Sequence, residues 1–402
     1  MFDFDRVTDR HGSWCTQWDF VADRFGQDDL LPFTISDMDF PTAPCILAAL
    51  QQRLTHGVFG YSRWQHQDFL SAIAEWYQQR FSLCVDEKQI VYGPSVIYMI
   101  SRLIQHWSQP GEGVAVHTPA YDAFYKTIEG NHRRCFPLPL RKRGAEWYCD
   151  MSELEALLAK GECRILLLCS PHNPTGKVWR REELEQMAAI CQRYDVRVIS
   201  DEIHMDMVTG DNAHTPWLAV ANDRFALFTS ASKSFNVPAL TGAYGFISDE
   251  QDRAAWFQAL KSVDGLSSPA VMAIAAHIAA YREGGEWLDA LRRYLAANLA
   301  HVASRLNKAF PALNWVPPQA TYLAWIDLNP LGLDDDLLQK ALIGQQKVAI
   351  MPGMTYGREG KGYLRLNVGC PRSKLDEGLT RLINGIHYCL LLKADNAAAC
   401  GR

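Results

Sequence analysis

Phe228-Thr229-Ser230-Ala231-Ser232-Lys233-Ser234-Phe235-Asn236 sets one lysine among three serines. It continues from the apolar run Phe225-Ala226-Leu227, which reads as a buried strand ending at Thr229. A lysine beside serines is commonly a solvated loop residue. It gains meaning here because it leaves the end of a strand, where open α/β sheets place their ligands.

Upstream, Ile90-Val91-Tyr92, Gly113-Val114-Ala115-Val116, Arg164-Ile165-Leu166-Leu167-Leu168-Cys169 and Val196-Arg197-Val198-Ile199-Ser200 read as further strands. The 164–169 run is almost uniformly apolar, as parallel strands buried on both faces are. Helical spacing separates the strands. Ile46, Leu47, Leu50 and Leu54 share one face after Pro44, and Phe69, Ile73, Trp76 and Tyr77 share another over 68–81. Ser95 stands at the N-cap position of a helix carrying Val96, Met99, Ile100 and Leu103, and further helices are expected over 151–160 and from 181. Strands alternating with helices from about 85 to 250 predict an α/β unit with a mainly parallel sheet. Residues 251–310 are largely helical, with Leu288, Leu291, Leu295 and Leu299 on one face. Strands at 321–326 and 362–367, with helices near 334–346 and 373–387, predict a smaller α+β domain. The expected division is an N-terminal segment (1–45) associated with the small domain, a large domain (46–287), the small domain (288–392) and a frayed tail (393–402). Trp14 and Trp18 are expected to anchor the N-terminal segment.

The chain has 402 residues, 48% of them hydrophobic, and a net charge of −5. This is an ordinary globular composition, with nothing that favours nucleic acid or an anionic membrane surface. No 18-residue apolar stretch suits a membrane span, and the acidic Met1-Phe2-Asp3-Phe4-Asp5 does not read as a signal peptide. The 11 cysteines form no C-x-x-C pair, which predicts reduced thiols in the cytoplasm and neither a disulfide framework nor a metal site.

Four further signals stand at strand ends. Asn173, in Ser170-Pro171-His172-Asn173-Pro174-Thr175-Gly176, has an amide that can hydrogen-bond a phenolate oxygen, although an Asn-Pro turn is common in itself. Asp201 ends a buried strand, where an acid is costly unless it meets a cation or caps a helix. Tyr121, in a loop after Pro119, offers a ring for stacking or for packing. Gly93-Pro94-Ser95-Val96 leads into a helix whose free N–H groups suit a phosphate.

Asp201 lies 28 positions after Asn173, and Lys233 another 32 beyond. With Tyr121 ahead of them, this order resembles the fold type I (aminotransferase-like) enzymes of pyridoxal 5′-phosphate (PLP) over nearly the whole chain. Gly60-Tyr61, the Ser-Pro-His-Asn-Pro-Thr-Gly-Lys run ending at Lys177, Ser200-Asp201-Glu202-Ile203-His204-Met205-Asp206 and Ser232-Lys233-Ser234-Phe235-Asn236 resemble, more narrowly, the bacterial cystathionine β-lyase branch. Phe33-Thr34-Ile35-Ser36-Asp37-Met38-Asp39-Phe40 and Gly369-Cys370-Pro371-Arg372 are similar to an enterobacterial member of that branch, described as both a carbon–sulfur lyase and a modulator of the maltose regulon.

The resemblance implies that Lys233 carries PLP, that Asp201 keeps the pyridine nitrogen protonated, that Asn173 hydrogen-bonds the ring O3′ and that Tyr121 stacks on the ring. Many aminotransferases grip the phosphate with an arginine in a Gly-x-Arg-x-Gly stretch beyond the lysine. Here the run is Thr241-Gly242-Ala243-Tyr244-Gly245. The phosphate is then left to Ser95 and Val96 amides, Ser230 and Ser232 hydroxyls, and Tyr61. In this fold the Gly-Tyr tyrosine reaches the neighbouring subunit's phosphate, so the resemblance implies a homodimer with shared sites. Arg365 matches the arginine that binds the substrate α-carboxylate. His204, three positions after Asp201, either neighbours the cofactor or packs. The activity implied is β-elimination from cystathionine and related cysteine S-conjugates, with an aminotransferase as the alternative. A second role, through protein–protein contact with a transcription activator of the maltose system, rests on the same resemblance.

Overall fold

The computed structural model describes residues 2–400, with side chains from 2 to 395. The chain opens with an irregular segment and the short strand β1 (Leu31–Phe33). The strands that follow are β2 (Ile90–Gly93), β3 (Gly113–Thr118), β4 (Arg134–Pro139), the hairpin β5 (Arg141–Arg143) and β6 (Glu146–Tyr148), β7 (Cys163–Cys169), β8 (Arg197–Asp201), β9 (Phe225–Thr229) and β10 (Ala243–Ile247). The last three are β11 (Leu323–Asp327), β12 (Val348–Pro352) and β13 (Tyr363–Asn367).

Seven strands form one sheet in the order β2-β10-β9-β8-β7-β3-β4. Strands β9, β8, β7, β3 and β4 run parallel, and β10 is antiparallel to both its neighbours. The expected mainly parallel sheet is therefore present, closed at one side by an antiparallel pair. The central strands are buried along their length because helices cover both faces, including Val96–Trp107 and Arg181–Arg193. Register brings the site's strand ends into one row: Cys169 pairs with Asp201, and Asp201 pairs with Phe228.

A four-stranded sheet, β1-β12-β13-β11, forms the smaller layer. Strand β1 joins it parallel to β12, which ties the N-terminal segment to the C-terminal part of the chain. The helices Gly285–Ala309 and Arg372–Cys400 flank it, with Leu288, Leu291, Leu295 and Leu299 buried as the spacing predicts. The sequence-based boundaries at 45/46 and 287/288 fall inside the unbroken helices Pro44–His56 and Gly285–Ala309.

Three expectations are corrected. The tail expected to fray from 393 continues the last helix to Cys400, and the Lys393 ammonium donates to the carbonyls of Leu331 and Gly332, while residues 401–402 lie outside the described residues. Of the apolar positions on the helix Pro44–His56, Ile46 is buried, but Leu47 and Leu54 are half exposed. Trp14 is exposed and anchors nothing within the chain, whereas the Trp18 indole donates to Asp39 at 3.0 Å. Among the described residues, no helix is long and apolar enough to cross a membrane, and no acidic, histidine and cysteine cluster suits a metal.

Candidate active site

A cavity of about 210 Å³ opens beyond the carboxyl ends of β7, β8 and β9. Asn173 lies four residues past β7, Asp201 is the last residue of β8, and Lys233 lies four residues past β9. All three line the cavity, together with Tyr121, Ser95, Val96, His204, Ser230 and Ser232. The paired strand ends are what bring residues so distant in sequence to one place.

Lys233 sits in the short helix Ala231–Ser234, capped by the Ser230 hydroxyl oxygen, which accepts from the Ser232 N–H at 3.1 Å. Its Nζ donates to the carbonyl of Ser36 at 2.7 Å. Burial pushes the amine down from 10.5 to about 8, with the charge of Arg365 acting the same way and Asp37 and Asp201 opposing it. Burial also pushes the Asp201 carboxyl up from 3.8 to about 7, although the Ile203 N–H donates to it at 3.1 Å. The cavity thus holds an amine and an acid that can each change charge near neutral pH, a frequent property of catalytic groups.

Arg365 rises from β13 behind Asn173. One guanidinium nitrogen donates to Asn173 Oδ1 at 3.1 Å, another to the Thr34 carbonyl at 2.8 Å, and the group lies 4.6 Å over the Tyr356 ring. It is 3% exposed, and its Nε has no partner among the described residues. A buried guanidinium with donors left unused is a ready receptor for a carboxylate.

At the other end, Ser95 caps the helix Val96–Trp107 through its hydroxyl oxygen, which accepts from the Tyr98 N–H at 3.2 Å. Val96 follows at the first helical position, where main-chain N–H groups are free. The Ser230 hydroxyl donates to the Gly242 carbonyl at 2.7 Å, so its proton is engaged within the chain. Thr241 and Gly242 line the cavity where the Gly-x-Arg-x-Gly pattern would bring its arginine, and Lys233 is the one Lys or Arg among the described residues of the wall.

His204 is buried at the wall, edge-on to Tyr322, and its Nδ1 has no partner. Burial and the charge of Lys233 push it down to about 3, so it stays neutral. Tyr61 is not brought into the cavity of its own chain: it is 99% exposed, on a loop with the exposed Val58 and Phe59. Sequence reasoning missed Ser36, whose contribution is a main-chain carbonyl with no side-chain signature. It also missed Ile203, Cys169 and Pro238 in the wall. Cys169 and Ile203 could have been marked by their positions at strand ends, whereas Pro238, in a short turn between β9 and β10, had no such signal.

The model of the aminotransferase class I and II family matches residues 28–382. Escherichia coli (strain K12) Protein MalY is 65% identical over 386 residues, covering 96% of this chain and 99% of that one. The Bacillus subtilis cystathionine beta-lyase PatB is 35% identical, covering 94% of this chain and 98% of its own. Among solved structures, the PLP-bound C-S lyase from Staphylococcus hominis superposes with a TM-score of 0.90 at 25% identity, over 96% of this chain and 98% of that one. The parallel sheet, the placement of Lys233 and the matched length agree: the chain belongs to the aminotransferase class I and II family.

Proposed function

We propose that the protein is a PLP-dependent carbon–sulfur β-lyase that cleaves cystathionine and related cysteine S-conjugates to a thiol, pyruvate and ammonia. The observation that carries this is the convergence, in one cavity, of a buried amine at Lys233, a buried acid at Asp201 and the Asn173 amide, with the part-free guanidinium of Arg365 behind it. The similarity to a cystathionine beta-lyase and to a C-S lyase supports the same reaction class.

The donor set fits PLP. Lys233 offers an amine for the aldehyde. Asp201 has no ion-pair partner among the described residues and would gain one in a protonated pyridine nitrogen. Asn173 would hold the phenolate, Tyr121 the ring, and Ser95, Val96 and Ser232 the phosphate, whereas Ser230, expected there too, has its proton engaged by Gly242. Bound there, the cofactor supplies an electron sink for the pair left on Cα. Arg365 orients the substrate through its carboxylate. The free Lys233 amine takes the Cα proton as the Cα–H bond breaks. The pair then moves toward Cβ, and the Cβ–S bond breaks with thiolate as the leaving group.

A second copy of the chain completes the phosphate site with its Tyr61. The exposed Tyr61, Val58 and Phe59 and the half-exposed Leu47 and Leu54 give that copy an apolar surface to cover. The scattered cysteines, without a C-x-x-C pair, support a cytoplasmic location. A regulatory contact with a transcription activator of the maltose system rests on the 65% identity to MalY, and a Lys233→Ala variant that still represses separates it from catalysis.

An aminotransferase uses the same residues. Incubation with cystathionine and no keto-acid acceptor distinguishes the two: thiol and pyruvate accumulate for a lyase. Product formation only after an acceptor is added refutes the lyase assignment.

A further inference from the structure

Residues 34–40 run from β1 across the cavity without regular structure, yet most of them are buried. A buried irregular segment must satisfy its backbone polar groups with side chains. Those side chains come from the two elements that carry the site and from the N-terminal segment, where Gln17 accepts from the Thr34 and Ile35 N–H groups and Arg10 donates to the Met38 carbonyl. From below, Asn236 Oδ1 accepts from the Met38 N–H at 2.9 Å, and its Nδ2 donates to the carbonyls of Met38 at 2.8 Å and Phe40 at 2.7 Å. From the side, Asn367, two residues past Arg365, donates to the carbonyls of Ile35 and Asp37.

Asn236 is three residues past Lys233 and adopts φ +56°, a left-handed conformation that asparagine tolerates better than most residues. The Lys233 amine itself donates to the next carbonyl back along the same face, that of Ser36. Positions 36, 38 and 40 are therefore held by one short stretch, 233–236. Tyr322 donates to the same Ser36 carbonyl at 2.9 Å. The carbonyl that receives the Lys233 amine is thus held directly by Tyr322, between neighbours held by Asn367, while the Asn236 amide fixes the segment two residues further on.

We propose that Asn236 is a positioning residue for the proton transfer made by Lys233. By fixing Met38 and Phe40 it keeps the segment in the place where the Ser36 carbonyl, held by Tyr322, accepts a hydrogen bond from the free amine, and so stabilises the ammonium formed when the Cα–H bond breaks and the new N–H bond forms on Nζ. A charge-assisted hydrogen bond favours the protonated amine and raises its basicity. The proposal rests on the reading of Lys233 as the PLP lysine and base. The other charged or titratable groups around the amine are Asp201 and His204 at the end of β8, Asp37 in the crossing segment with its partner Arg10, Tyr322 on the same Ser36 carbonyl and Arg365 on β13.

The test compares wild type with Asn236→Gly, which tolerates the left-handed backbone and removes the whole side chain, and Asn236→Asp, which keeps the acceptor for Met38 and turns two donor contacts into repulsions. Amide exchange of the 34–40 peptide is read in the cofactor-free chains. The pH profile of kcat and the Cα-deuterium isotope effect are read in the loaded enzymes. Faster exchange is expected in both variants. The acid limb of kcat should move down by about one pH unit, and kcat should fall roughly tenfold to a hundredfold. The isotope effect should rise, with KM altered less than kcat. Faster exchange with an unchanged acid limb and isotope effect reduces Asn236 to a structural role and overturns the proposal, as does no change in exchange. If one variant fails to fold, the other decides by the same readouts. Wild type that gives no borohydride-fixed label on Lys233 overturns the underlying reading and the proposal together, whereas a labelled Lys233 with unchanged kinetics overturns Asn236 alone.

Discussion

Replacing Asp201 by asparagine should stabilise the cofactor-free chain while crippling the enzyme. Asp201 is 4% exposed, and burial moves its carboxyl from 3.8 to about 7. The folded state therefore prefers the protonated acid. Stability from this group is fully present below pH 3.8 and is lost as pH rises through about 7. Carrying the ionisable acid in the fold costs up to ~4 kcal/mol at pH 7 and ~1.5 kcal/mol at pH 5. An asparagine side chain cannot ionise, so Asp201→Asn removes that cost and its pH slope, and the amide can still accept from the Ile203 N–H. Urea unfolding of cofactor-free wild type and variant at the two pH values measures the difference. The variant should gain more at pH 7 than at pH 5. In the loaded enzyme the sign reverses, because the asparagine offers no charge to a protonated ring nitrogen, and kcat should fall by ~10²–10³. Equal stability at both pH values, or a variant less stable at pH 7, refutes the electrostatic account of this site.

Three other outcomes follow from particular contacts. Arg365→Lys keeps the charge but loses the planar fork that serves Asn173, Thr34 and a carboxylate together, so KM should rise ~30-fold, equivalent to about 2 kcal/mol, with a smaller change in kcat. With Lys233 at about 8, the rate of PLP attachment to the cofactor-free chain should rise about tenfold per pH unit from 6 to 8 and level off above; a profile still rising to pH 10 contradicts the buried amine. Gly176 has φ +69°, and an added Cβ would lie 2.4 Å from Pro318 Cβ and 2.7 Å from the Ala320 carbonyl oxygen. Gly176→Ala should cost roughly 2–4 kcal/mol, read as a lower urea midpoint.

The large sheet was legible because its central strands are buried on both faces and read as continuous apolar runs. The 164–169 and 225–229 runs became β7 and β9 nearly residue for residue. Strands β4, β10 and β12 went unread. In β4, Arg134-Cys135-Phe136-Pro137 mixes exposed and half-buried positions, so it carries no uniform apolar signal. Strand β1 is three residues long and exists because β12 pairs with it, which no local pattern announces. Strand ends singled out Lys233, Asp201, Asn173 and Tyr121, the resemblance of their order to a known family joined them, and the structure brings these four to one cavity. Ser36 was invisible, since a main-chain carbonyl enters a site through tertiary placement alone. Tyr61 shows the complementary limit: the resemblance singles it out, yet it is exposed on its own chain and does not enter the cavity.

The central claim, that Lys233 is the residue to which PLP is joined, is tested most directly by loading the protein, reducing with borohydride and mapping the label by peptide mass. A single adduct on the peptide containing Lys233, with loss of the visible absorption band, is the predicted result. A label on another lysine, such as the buried Lys177 paired with Glu183, or no label at all, contradicts it.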